Sequence, residues 1–125
     1  MAEVKWKSDP DAHDYPAASN YLSLILQAGE VTAVLEALHN APLVTQKAKD
    51  ILRAARLPVL PPDDIHVSED LDKVKHGQSL SPILLLRGRF ASDAPLQIAD
   101  GYHRVCASYH VDPNTDIPCR IADLA

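Results

Sequence analysis

The chain has 125 residues, a length typical of one domain with a single modest core. Hydrophobic residues make up 46% of it, which indicates a folded globular protein, and aromatic residues only 5%, so the core must be mainly aliphatic. The net charge of −5 argues against general nucleic-acid binding, which needs an excess of Lys and Arg. It does not exclude a small local basic pocket.

Targeting signals are not evident in the sequence. The N-terminal stretch MAEVKWKSDPDAHDYP has no apolar core of a secretory signal, and no apolar run reaches the length of a bilayer span. These features predict a cytoplasmic protein without a membrane partner. Cys106 and Cys119 are therefore expected to be free thiols.

Three amphipathic helices are predicted in residues 1–56. The first begins after Asp14, its N-cap, and ends at Gly29. The second covers residues 30–40, where apolar side chains recur at helical spacing. The third begins at Thr45, a favourable N-cap residue, and carries a basic outer face.

Residues 57–125 show a different pattern, in which short apolar runs alternate with helical segments. The predicted strands are IHV at 65–67, PILLLRG at 82–88, LQIA at 96–99 and IPCRI at 117–121. A short helix capped by Ser68 follows the first strand, and a second helix runs from Gly101 to about His110. The pattern predicts the α/β (α+β) class, with a small mixed sheet and packed helices in one compact domain, and residues 1–56 as a helical extension.

The stretch IADGYHR at 98–104 places a histidine and an arginine at the start of a predicted helix. Asp100 stands at the N-cap, Gly101 permits a tight turn or the close approach of a ligand, and His103 and Arg104 lie in the first turn. Cations there oppose the helix dipole, so a compensating anion is expected, and phosphate suits the free N–H groups and the guanidinium. A structural alternative remains open, in which Asp100 caps the helix and Arg104 pairs with a surface acid.

The back half of the chain also carries a longer pattern of motifs. DDIHVSEDLDKVKHGQSLSPILLLRG is followed by LQIADGYHR, in which Gly101 and Arg104 form a G-x-x-R pair. In order and spacing, residues 57–110 resemble the ParB/sulfiredoxin superfamily. The DG-x-x-R form looks most like the free-serine-kinase branch and related small bacterial proteins. The resemblance implies a ParB/sulfiredoxin-like fold that binds nucleotide phosphates at this helix start: CTP in partition proteins, ATP in sulfiredoxin and ADP in the serine kinases.

This resemblance assigns expected roles to individual residues. The nucleotide, which is ATP, ADP or CTP with or without Mg²⁺, is expected to contact Gly101, Tyr102, Arg104 and Ser81. His103 is expected to donate to phosphate or act as general acid or base, and Asp100 to orient the turn or hold a Mg²⁺-bound water. No metal ligands beyond this are predicted.

Two departures from the superfamily pattern limit the expected activity. Tyr102 occupies the position after the glycine where sulfiredoxin has its reactive cysteine, which argues against peroxiredoxin repair. The DNA-reading helix-turn-helix of the partition proteins does not follow the G-x-x-R helix, so no DNA-reading domain is expected.

Three functional hypotheses remain. The first is a nucleotide- or phosphate-binding protein, with phosphoryl transfer to a small molecule as its reaction if it is an enzyme. The second is a non-catalytic protein-interaction module, in which the front helices dock a partner or form a homodimer. The third is a metal-dependent nuclease, which needs a carboxylate cluster where the sequence offers only Asp100. A solvated lead-in with a helix cap is the preferred interpretation of the polar group Asp9, Asp11, His13 and Asp14.

Overall fold

In a computed structural model that describes residues 3–124, five helices and six short strands form an α+β fold. The helices are α1 (Asp14–Leu22), α2 (Ala28–Asn40), α3 (Ala48–Ala55), α4 (Ile65–Lys75) and α5 (Tyr102–Val111). The strands are β1 (Lys5–Trp6), β2 (Val44–Lys47), β3 (Ser79–Leu80), β4 (Ile83–Leu86), β5 (Gln97–Asp100) and β6 (Asp116–Ala122). The predicted α/β (α+β) class with a small mixed sheet is confirmed.

The main sheet has the strand order β2-β6-β4-β5. Strand β4 runs parallel to β6 and antiparallel to β5, and β2 pairs antiparallel with β6. A separate two-stranded parallel ladder joins β1 to β3. The continuous apolar run of β4 follows from its central place, because a strand covered on both faces buries every side chain.

Helices cover both faces of this sheet. Ile83 and Leu85 of β4 belong to one core cluster, together with buried residues of α3, α4 and α5. Leu84 and Leu86 point to the opposite face and pack with residues of α1 and α2. The front of the chain therefore shares the sheet and the core with the back half, since it supplies β2 and the second helical layer. None of the described helices is long and apolar enough to cross a bilayer.

The first predicted helix is too long. Helix α1 ends at Leu22, and a new helix begins at Ala28 after a short turn. The interruption has a local cause. The side chains of Gln27 and Glu30 form a reciprocal capping box, which satisfies backbone N–H groups at the start of α2. Gly29 therefore lies in the first turn of α2 and does not end a helix.

Thr45 was predicted to cap the third helix but lies in strand β2. The backbone of residues 44–47 pairs in register with residues 116–119 of β6, and α3 begins only at Ala48. β-Branched Val44 and Thr45 suit a strand. Pairing with β6 also gives their backbone groups hydrogen-bond partners, whereas the N–H groups in the first turn of a helix have none within that helix.

The predicted strand at 65–67 is wrong, because these residues form the first turn of α4. Asp64 caps that helix: its Oδ1 accepts the backbone N–H groups of His66 at 3.0 Å and Val67 at 3.1 Å. These two hydrogen bonds, led by that of Val67, hold the pKa of Asp64 below its ordinary value. Ser68, predicted as the cap, lies inside the helix.

Candidate functional site

A polar cavity of about 270 Å³ lies at the start of α5, between that helix, α4 and the segment that precedes α1. Five of the six predicted site residues line it: Ser81, Asp100, Gly101, His103 and Arg104. They come from the connection between β3 and β4, the end of β5 and the start of α5. The fold therefore brings together residues that are up to 23 positions apart in sequence.

Tyr102 is the predicted residue whose side chain does not line the cavity. Its hydroxyl donates a hydrogen bond to the carbonyl oxygen of Pro58 at 2.6 Å, in the connection between α3 and α4. Burial raises the pKa of this phenol. The Tyr102 side chain therefore links α5 to the connection between α3 and α4 and does not face the cavity.

Arg104 is held by groups of the protein itself. Its Nη2 donates to Asp100 Oδ2 at 2.7 Å, and its Nη1 donates to Ser81 Oγ at 2.7 Å. Nη1 also lies 3.5 Å from Asp14 Oδ1. Within the described part of the chain its buried Nε has no hydrogen-bond partner. The anion that a cation in the first turn of α5 requires is thus supplied by Asp100 and Asp14.

Asp14 lies in the interior, where a solvated helix cap had been predicted. The residue is 2% exposed, and its Oδ2 accepts hydrogen bonds from Ser81 Oγ at 2.7 Å and from the Asp11 backbone N–H at 3.0 Å. His13 occupies the N-cap position of α1 without a side-chain cap bond. Asp14 is buried because it shares Arg104 with Asp100 from a distant part of the sequence, a pairing that local patterns do not reveal.

Gly101 is required by both conformation and packing. Its φ of +113° lies in the left-handed region, and a Cβ there would lie 2.4 Å from Ile83 Cδ1 and 2.7 Å from Arg104 Nη2. Only a glycine lets the guanidinium fold back over the start of the helix. The absence of a Cβ at Gly101 therefore leaves the space that the Arg104 guanidinium occupies.

Asp100 does not act as the predicted N-cap of α5. Gly101 occupies the N-cap position, and no side chain of the described residues caps this helix. The carboxylate of Asp100 turns to Arg104, since a largely buried carboxylate needs a counter-charge. Burial raises the pKa of Asp100, and the charge of Arg104 opposes this rise. Among the described residues, the first N–H groups of α5 therefore have no side-chain hydrogen-bond acceptor.

Two histidines lie together at the cavity. The ring centroids of His103 and His66 are 4.8 Å apart with the planes tilted by 50°, and both residues line the cavity. His66 belongs to the first turn of α4, so the two helix starts face each other here.

Two lysines add positive charge to the lining. Lys7 Nζ donates to both carboxylate oxygens of Asp11 at 2.9 and 3.0 Å, which holds the pKa of Asp11 below its ordinary value. Lys73 Nζ lies 3.9 Å from Asp70 Oδ1. The cavity therefore has several groups that can bind an anion, together with carboxylates that need a cation or a hydrogen-bond donor.

Helix α4 also lines the cavity, and the sequence analysis does not predict this. His66, Asp70 and Lys73 line the cavity from one face of this helix, at intervals of four and three residues. That spacing is a helical signal. The prediction of a strand at residues 65–67 places His66 outside the helix, so the helical spacing of the three residues is not recognised.

One group near the cavity has the composition of a cation site. Asp11, His13 and Asp14 each offer a ligand atom, and these atoms lie within 4.8 Å of one another. Asp14 already accepts two hydrogen bonds, and Asp11 already pairs with Lys7. Among the described residues, these three form the group whose ligand atoms are close enough to share one metal ion.

Comparisons with protein-family models, with curated proteins and with solved structures find no match to this chain. No family is therefore shown for it, and the similarity to the ParB/sulfiredoxin superfamily stays a prediction from its motifs.

Proposed function

We propose that this protein binds a phosphate-bearing small molecule, nucleotides included, with the phosphate at the start of α5. One observation carries the proposal: Gly101 and His103, which the sequence predicts as phosphate-site residues, line a polar cavity at the start of α5, where no described side chain caps the helix.

The chemistry of the cavity suits a phosphate. A helix N-terminus carries partial positive charge and free N–H donors, and the ten residues of α5 make it long enough for that effect. Lys7 and Lys73 add ammonium groups to the lining, and His103 adds an imidazole ring. Together these groups can surround the oxygens of one phosphate.

The size of the cavity restricts the ligand. Pockets for drug-sized molecules typically measure about 300–1,000 Å³. A cavity of about 270 Å³ holds a phosphate and a few further heavy atoms. If the ligand is ATP, ADP or CTP, its phosphates occupy the cavity and the base lies outside it. Asp11, which lines the cavity next to the buried Asp14, would then bind an accompanying Mg²⁺.

The role of Arg104 changes under this proposal. Its two terminal nitrogens are engaged by Asp100 and Ser81, so it fixes the geometry of the helix start and leaves direct binding to other groups. If the bound nucleotide is consumed, phosphoryl transfer to a small molecule is the proposed reaction, with His103 as the group that moves a proton.

A thermal-shift experiment tests the proposal. The melting temperature is measured with inorganic phosphate, ATP, ADP and CTP, each with and without Mg²⁺, because a ligand of the native state raises it by mass action. The same screen is run on Lys73→Met, in the cavity, and on Lys75→Met, a matched loss of charge on the same helix outside the cavity. We expect a shift that Lys73→Met weakens and Lys75→Met keeps. No shift with any of these ligands would contradict the proposal.

A non-catalytic interaction module is the second candidate function. It is favoured by apolar side chains on the turn between α1 and α2, where Leu24 is 81% exposed and Ile25 is 49% exposed. Two adjacent apolar side chains exposed to solvent suit a contact with another protein, and a homodimer is the simplest such contact. Sedimentation equilibrium of the wild-type protein and of Leu24→Ser tests it. A monomer at all concentrations would remove the homodimer.

A further inference from the structure

The carboxylates around the cavity differ in how the protein satisfies them. Asp11 accepts two hydrogen bonds from Lys7, and Asp100 accepts one from Arg104. Glu69 has no hydrogen bond among the described residues, but its side chain is 64% exposed, so water satisfies it. These three acids do not require a ligand.

Asp70 is the exception. The residue is only 9% exposed, lines the cavity, and accepts no hydrogen bond from any described residue. Its nearest cation, Lys73 Nζ, lies 3.9 Å away, beyond hydrogen-bond distance. Burial raises the pKa of this carboxyl group, and Lys73 offsets only part of the effect.

Asp70 forms an ion pair with Lys73, and its carboxylate oxygens are open to the cavity, but it has no hydrogen-bonded partner among the described residues. A buried charge without a hydrogen-bonded partner is costly, and native proteins keep such groups mainly where function needs them.

We propose that Asp70 binds a hydrogen-bond donor on the ligand itself. This inference rests on the proposed function and specifies its ligand class: a small phosphate ester that carries a hydroxyl or ammonium group a few bonds from the phosphorus. The phosphate lies at the start of α5, and the donor group reaches the Asp70 carboxylate on α4, across the same cavity. Asp70 is in this account a specificity-determining residue.

Three phosphate esters of equal chain length test the proposal. Propyl phosphate ends in a methyl group, hydroxypropyl phosphate in a hydroxyl and aminopropyl phosphate in an ammonium group. Affinities are measured by isothermal titration calorimetry on the wild-type protein. A site built around a buried acceptor rejects an analogue that lacks the donor. We expect hydroxypropyl phosphate or aminopropyl phosphate to bind about tenfold more tightly than propyl phosphate. Comparison of the first two esters shows whether the preferred donor is a hydroxyl or an ammonium group.

Two variants complete the experiment. Asp70→Ala removes both the charge and the acceptor oxygens, and it should lower the tenfold preference to about the same affinity for all three esters. Asp72→Ala makes the same change at an exposed position of α4 outside the cavity, and it should keep the preference.

The outcomes separate this inference from the proposed function. If the wild-type protein binds all three esters equally, or if Asp70→Ala keeps the preference, the role of Asp70 is overturned while phosphate binding stands. If none of the three esters and no inorganic phosphate binds, the proposed function fails and this inference fails with it.

Discussion

Arg104 donates from Nη2 to Asp100 Oδ2 at 2.7 Å, so the first and last residues of the DG-x-x-R motif bind each other across the start of α5. The spacing of four residues places them one helical turn apart. The glycine between them leaves the space that the guanidinium occupies. In this protein the motif therefore shapes the start of α5, together with Ser81 and Asp14, and the polar cavity lies next to it.

Replacing Gly101 with Ala should be strongly destabilising. The new Cβ would lie 2.4 Å from Ile83 Cδ1 on a backbone with a φ of +113°. Strain and overpacking together should lower the free energy of unfolding by about 2–4 kcal/mol, measured by urea denaturation. Gly29→Ala is the matched control, because no atom lies within 4 Å of its Cβ and the residue is helical. That variant should be neutral or more stable by up to about 1 kcal/mol. Equal effects of the two substitutions would argue against this packing.

Replacing Arg104 with Ala should destabilise the fold. The substitution leaves the carboxylates of Asp14 and Asp100 in the interior without their shared cation. Loss of one partner from a buried ion pair costs about 3–5 kcal/mol. Adding Asp14→Asn to Arg104→Ala should recover part of this loss, because one orphaned charge disappears. Strictly additive free energies of unfolding for the two changes would show that the residues are not coupled.

Asp70→Asn should make the protein more stable at neutral pH, by about 0.5–2 kcal/mol. The raised pKa of Asp70 means that the folded state disfavours the ionised form. This penalty is fully present above the folded-state pKa and disappears as the pH falls below the ordinary value of 3.8. The difference in stability between wild type and variant should therefore shrink toward acid pH in urea titrations. A variant less stable than wild type at neutral pH would show that an internal partner satisfies Asp70.

Neither thiol should react in the folded protein. Cys106 and Cys119 are both free and buried, and burial raises the pKa of Cys119 to about 11 and raises that of Cys106. Because the thiolate is the reactive form, titration with a disulfide reagent at mildly alkaline pH should label neither residue until denaturant is added. Rapid labelling of one thiol under native conditions would contradict the burial of that side chain.

The elements that the sequence predicts correctly are those whose signal is local. The apolar run that contains β4 marks a strand covered on both faces, and the apolar spacing after Gly101 marks α5. Errors arose where two local interpretations compete. IHV at 65–67 has the composition of a strand, but its N–H groups at His66 and Val67 donate to the Asp64 side chain, which caps a helix there.

Other parts of the site depend on contacts that no local pattern contains. Asp14 and Arg104 are 90 positions apart, and a carboxylate ahead of a helix has the same pattern whether it caps that helix or pairs with a distant arginine. Strand β2 forms because β6 is beside it. Gly101 and His103 can be predicted because they share one short motif, whereas Lys7 and Asp70 reach the cavity only through the fold.

The most direct test of the central claim is a titration of the ¹⁵N-labelled protein with inorganic phosphate, followed by amide chemical shifts. If phosphate binds at the start of α5, the largest saturable changes should fall on the amides of Tyr102, His103 and Arg104, because these N–H groups would donate to its oxygens. Lys73→Met should weaken the same response and Lys75→Met should leave it intact. Saturable changes confined to another part of the protein, or no change at millimolar phosphate, would contradict the account.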